Sequence, residues 1–96
     1  MITKKSSGDV FRDLGFEEEE AYNLRIRSIL MSELDEYIRR KGISQAEAAK
    51  RIGVTQPRIS DLVRGKIDVF SVDMLIAMLS MVGLKVKVHV VRSKAA

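Results

Sequence analysis

The stretch SQAEAAKRIGVTQPRISDLVRGK (44–66) crowds a capping signal, a glycine and a proline close together, and these leave the chain few local options. Ser44 and Glu47 form a capping box, in which the hydroxyl accepts from the Glu47 amide and the carboxylate reaches back to the Ser44 amide, so a helix begins here. Ala48, Ala49 and Ile52 supply a small apolar face at helical spacing, and Gly53, which tolerates positive φ, ends the helix. Val54 plugs the corner. Thr55 is the N-cap of a second helix over about 56–64, with Pro57 in its first turn, where a missing amide costs little. Helical spacing turns Ile59, Leu62 and Val63 inward and Pro57, Ser60, Asp61 and Arg64 outward. Two short helices with a small residue at the crossing and a glycine between them make a helix-turn-helix, whose second helix enters a DNA major groove. An unliganded helical hairpin is the alternative; the agreement of both caps, Ala49, Gly53 and the Gly65-Lys66 exit favours a DNA reader.

Charge separates along the chain in a way that supports this. The whole chain carries a formal +4, but residues 1–38 hold five basic and nine acidic groups (net −4), residues 39–66 eight and two (net +6), and residues 67–96 four and two (net +2). Positive charge is thus concentrated on the reader, as a phosphate footprint requires. The chain has no cysteine, which excludes a disulfide framework and thiolate metal sites and suits a reducing compartment. Its first eight residues lack the apolar run of a signal peptide, and no eighteen apolar residues run together, so a cytoplasmic protein with no membrane segment is expected. A single histidine and no convergent carboxylates leave nothing from which to build a catalytic site, and no metal or cofactor is expected.

At 96 residues the chain is expected to form one domain over residues 9–92, between a flexible tail at 1–8 and a short tail at 93–96. Within DVFRDLGF (9–16), Val10, Phe11, Leu14 and Phe16 are too apolar for a free tail; they are expected to pack on the domain or to meet a partner. Residues 17–42 read as one long helix or two joined end to end, with Glu17–Glu20 and Arg39–Lys41 complementing its dipole and Gly42 ending it. Tyr22, Ile26, Ile29, Leu30, Leu34, Tyr37 and Ile38 mark its expected packing face. After a short extended or turn segment at 67–70, Ser71 caps a well-buried helix over 72–83, ended by Gly83.

Residues 84–92, LKVKVHVVR, alternate as a half-buried strand does, with Leu84, Val86, Val88 and Val90 on one face and Lys85, Lys87 and His89 on the other. A lone strand leaves its backbone groups unpaired. The same strand of a second copy, antiparallel across a two-fold axis, is the simplest partner, and it joins the four apolar residues into a common core. The expected architecture is therefore mainly α, a five-helix type of helix-turn-helix domain, with a C-terminal strand paired across a homodimer.

Such a dimer carries two readers and calls for a palindromic operator in double-stranded DNA, with half-sites about 34 Å or a multiple apart. Base reading is expected from Thr55, Gln56, Pro57, Arg58, Ser60 and Asp61: Gln56 can pair with adenine, Asp61 can accept from a cytosine amine, and Pro57 can touch a thymine methyl. Phosphate contacts are expected from Ser44, Gln45, Lys50, Arg51, Arg64 and Lys66, with Arg58 able to serve either purpose, and from the amides opening the Gln45 helix.

The reader is similar to the helix-turn-helix of the XRE family of Cro-type repressors, with Gln45, Ala49, Gly53, Ile59, Leu62 and the Gly65-Lys66 exit where that pattern has such residues. The resemblance implies a backbone role for Gln45 and base-edge roles for Gln56 and Ser60. Pro57 and Asp61 depart from the amides often found there, so the operator sequence does not carry over. Over about residues 9–90, VFRDLGF, the acidic long helix, the reader and the final VKVHV resemble small HigA-type antitoxins that neutralise a RelE-like ribonuclease. That resemblance implies a dimeric repressor of its own operon with a toxin as protein partner, to which the acidic helix and the 9–16 segment are the candidate contact. A free-standing XRE regulator is the alternative.

Overall fold

Four α-helices and one 3-10 turn make up the described part of the computed structural model, which comprises residues 14, 15 and 17–92. The order is α1 (Glu18–Lys41), α2 (Gln45–Ile52), α3 (Gln56–Val63), the 3-10 turn Ile67–Val69, and α4 (Val72–Met81). Val10, Phe11, Phe16 and both expected tails lie outside the described residues, and Leu14 is largely exposed.

α1 is a single helix of 24 residues, about 36 Å long. Glu18, Glu19 and Glu20 occupy its first turn and Arg39, Arg40 and Lys41 its last, each set opposing the charge of its dipole end, and Gly42 closes it in the left-handed conformation at φ 61°. Its core face differs from the expected one. Leu30, Leu34 and Ile38 are buried as expected, together with Ala21, Leu24 and Met31, whereas Tyr22, Ile26 and Ile29 stay 52%, 45% and 40% exposed. The helix carries more apolar residues than one stripe can hold. Packing against α4 and the 3-10 turn selects the stripe through 24, 31, 34 and 38, which leaves the other outside.

The caps of the short helices form as their residues dictate. Ser44 Oγ accepts from the Glu47 amide at 3.1 Å, Thr55 Oγ1 from the Arg58 amide at 3.3 Å, and Ser71 Oγ from the Met74 amide at 3.1 Å. The return arm of the capping box does not form, because the Glu47 carboxylate pairs with Arg51 one turn on, at 3.0 Å. α3 and α4 each end in a pair of reversing bonds around a glycine: the Lys66 and Gly65 amides donate to the Asp61 and Leu62 carbonyls, and the Leu84 and Gly83 amides to those of Leu79 and Ser80. These bonds stop α4 at Met81, two residues before the expected end.

Leu34, Ile52, Ile59, Phe70 and Leu75 form the centre of the core, each no more than 2% exposed, with Ala48 and Ala49 letting the two short helices cross closely. Two further expectations fail. Val63 is 42% exposed, because the α3 face toward the core is narrow enough for Ile59 and Leu62 alone to fill. The expected strand over 84–92 is absent: no strand occurs among the described residues, and four α-helices stand there where five were expected. The described residues offer no neighbour for a ladder, and among them the backbone from Lys85 to Arg92 makes no hydrogen bond. Val86 is half-buried against the core, while Val88 and Val90 are 79% and 86% exposed.

Candidate nucleic-acid interface

The turn between α2 and α3 sets where the reading helix points. Gly53 adopts φ 85°, and its amide and that of Val54 both donate to the Ala49 carbonyl, at 2.8 and 3.1 Å, which reverses the chain in two residues. Val54 packs into the core at this corner, as its position in the sequence implies. α3 then starts at Gln56, with Pro57 second, and is anchored by Ile59 and Leu62.

Helical rotation from the buried Ile59 distributes the remaining α3 side chains. Pro57, Ser60, Asp61 and Arg64 lie on the outward arc with Gln56 at its edge; Gln56, Pro57 and Arg64 are exposed, and Ser60 and Asp61 are half-buried. Val63 joins this arc at its border. Arg58 is rotated to the flank that meets the 3-10 turn, and it is half-buried. Arg58 is already occupied there: Nη1 donates to the Val69 carbonyl at 3.0 Å, and the guanidinium lies 5.6 Å from the centroid of the buried Phe70 ring. Thr55 and Ser44 are held by their capping bonds, so their hydroxyls are partly committed before any ligand arrives.

The helix pair and its exit carry four exposed cations. Lys50, Arg51, Arg64 and Lys66 are all exposed. Arg51 is braced, with Nε on Glu47 at 3.0 Å and Nη1 on the Tyr37 hydroxyl of α1 at 3.4 Å. The bond to Tyr37, and after it the one to Glu47, raises the Arg51 pKa above the ordinary guanidinium value. Gln45, half-buried, opens α2. Ser44 satisfies the amides of Glu47 and Ala48, which leaves those of Gln45 and Ala46 without an intrahelical partner and directed off the helix start.

One contributor lies outside anything periodicity singles out. Arg27, in the first half of α1, sends Nη1 to the carbonyls of Ile67 and Phe70 at 3.1 and 3.3 Å, and its Nε is oriented by Asn23 Oδ1 at 2.7 Å. Forty positions separate Arg27 from Ile67, so no local pattern could have paired them. Among the described residues no group of three His, Asp or Glu side chains is placed to hold a metal ion, and no helix is long and apolar enough to cross a membrane.

A glycine-turned pair of short helices, the second presenting polar side chains to solvent and the pair carrying exposed cations, defines a helix-turn-helix DNA-binding regulator. The chain belongs to the XRE branch of this class. A family model described as a helix-turn-helix domain matches residues 10–91. A solved structure assigned to the XRE family of transcriptional regulators is 31% identical, with a TM-score of 0.72, over 78% of this chain and 84% of that one. No curated protein matches.

Proposed function

We propose that the protein is a sequence-specific transcriptional repressor that binds a palindromic operator as a homodimer. The observation that carries this reading is the outward side of α3, where Gln56 and Pro57 are exposed and Ser60 is half-buried, together with the exposed cations Lys50, Arg51, Arg64 and Lys66 on the same pair of helices and its exit. Lys50, Arg51, Arg64 and Lys66, with the Ser44–Gln45 helix start, take phosphates; Gln56, Pro57, Ser60 and Asp61 read base edges, with Thr55 at the border and Arg58 engaged with Val69 and Phe70. The homodimer reading is supported by the unpaired backbone of residues 85–92 and the exposure of Val88 and Val90, which a second copy's segment would pair and cover, with Leu84 and Val86 completing the apolar face.

The same regulator serves as the antitoxin of a RelE-like toxin in this proposal. Support comes from the resemblance of residues 9–90 to HigA-type antitoxins and from α1, where the exposed Tyr22, Ile26 and Ile29 follow the acidic first turn of Glu18, Glu19 and Glu20, which suits a basic partner. A free-standing regulator is the second reading, favoured by the structural neighbour's assignment as a transcriptional regulator alone. The test is fluorescence anisotropy of DNA from immediately upstream of the gene against scrambled DNA across a salt series. Tight binding to the native duplex alone, with two chains per site, is the expected result. Equal, salt-sensitive binding to both duplexes refutes the operator reading. Co-expression with the product of the adjoining gene, followed by co-purification and a toxicity assay, separates the antitoxin from the free-standing regulator.

A further inference from the structure

The 3-10 turn that follows the reading helix is gripped from two sides. Arg27 of α1 bonds the carbonyls of Ile67 and Phe70, and Arg58 of α3 bonds the carbonyl of Val69, between them, while lying over the Phe70 ring. Carbonyls of a short 3-10 turn are otherwise poorly satisfied, since its few internal bonds are long: Val69 to Lys66 and Phe70 to Ile67 each measure 3.3 Å. A guanidinium presents several donors in a rigid plane, which lets Arg27 span two carbonyls and Asn23 at once. The start of α3 is thereby tied through Arg58 to the turn, and the turn through Arg27 to the longest helix of the domain. Ile59 and Leu62 hold α3 against sinking or lifting, but two residues on one side set its rotation only loosely. The Arg58 bond acts off that axis.

We infer that Arg27 and Arg58 are positioning residues for base reading: the clamp they form on residues 67–70 fixes the rotation of α3, so that discrimination between DNA sequences depends on Arg27, a residue on another helix. This rests on the DNA-reading function proposed above. It reassigns Arg58 from direct contact to support, because its Nη1 is engaged with the Val69 carbonyl and its guanidinium lies over Phe70; direct contact through its remaining N–H groups is the competing outcome that the salt slope distinguishes.

The test starts from a duplex that the wild-type protein selects from a random pool, measured beside an unselected duplex by fluorescence anisotropy across a salt series. Arg27→Met and Arg58→Gln are each expected to weaken the selected duplex about tenfold, the scale of one misread base pair. The unselected duplex and the salt slope stay at wild-type values. Arg58→Lys keeps the charge and is expected to behave as Arg58→Gln, since an ammonium cannot keep both the planar stack and the carbonyl bond. The double variant loses about tenfold, not a hundredfold, because both arginines act through one turn. Weakening on both duplexes with a salt slope lower by about one, rescued by Arg58→Lys, makes Arg58 a phosphate contact and overturns the inference. An Arg27→Met protein that melts earlier but keeps the wild-type preference makes the clamp structural only, which also overturns it. If Arg27→Met does not fold, the Arg58 variants decide. A wild-type protein that selects no sequence refutes the DNA-reading function itself, an outcome distinct from a specific wild type with unaffected variants.

Discussion

Replacing Gly53 with alanine tests the geometry of the turn that aims the reading helix. Gly53 sits at φ 85°, in the region where a Cβ crowds the following carbonyl, at a cost of about 1–2 kcal/mol. The added methyl also meets Met81 Cε at 3.3 Å, but that atom ends a flexible side chain on a residue 60% exposed, so it can swing aside at little cost. The expected loss is therefore the conformational cost alone, about 1–2 kcal/mol, or roughly 4–8 °C in Tm for each kcal/mol in a domain of this size. Gly42→Ala is the matched control: φ is 61° and nothing lies within 4 Å of the new Cβ, so it is expected to lose a similar amount. Urea melts of both variants and of Gly53→Ala combined with Met81→Ala measure the difference. A Gly53→Ala protein as stable as wild type refutes the left-handed requirement. A loss well above that of Gly42→Ala, restored by Met81→Ala, shows that the methyl contact dominates instead.

Other expectations concern binding, assembly and the core. Arg64→Ala is expected to weaken binding to all duplexes and to reduce the salt slope by about one, whereas Gln56→Ala costs ~1–3 kcal/mol on the selected duplex and relaxes preference at one base pair; equal losses on matched and random DNA for Gln56→Ala count against base reading there. Sedimentation equilibrium is expected to find a wild-type dimer that Val88→Asp dissociates and Lys87→Glu leaves intact, and a monomeric wild type ends the pairing argument. Leu34→Ala removes a fully buried side chain from the centre of the core and is expected to cost about 2–5 kcal/mol in a urea melt. Ser71→Ala deletes the α4 cap and is expected to cost about 1 kcal/mol, with a neutral result showing that solvent satisfies the Met74 amide as well as the hydroxyl does.

Local chemistry made the reader legible. Ser44, Gly53, Thr55 and Pro57 act on their own neighbours within a turn or two, so their effects survive in any context that allows the helices to form. Gly42, Gly83 and the Ser71 cap were readable for the same reason. Faces were harder, because a helix with apolar residues on two stripes does not specify which one is buried. Tyr22, Ile26 and Ile29 keep helical spacing as faithfully as Leu24, Met31 and Leu34 do, and only the positions of α4 and the 3-10 turn distinguish them. Val63 shares helical spacing with Ile59, yet it is 42% exposed.

The strand expectation shows another limit. Alternation in residues 84–92 records which side chains prefer burial, but a strand exists only when another backbone completes its ladder, and the described residues supply none. The amino-acid sequence by itself determined the two short helices, their turn and the cation-rich surroundings of the second, because capping, glycine backbone freedom and net charge are properties of residues and near neighbours. Only the tertiary structure decided that Arg27 and Arg58 converge on the carbonyls of residues 67–70, since a side chain's hydrogen-bond partner forty positions away is chosen by how helices pack and leaves no periodic trace in either segment.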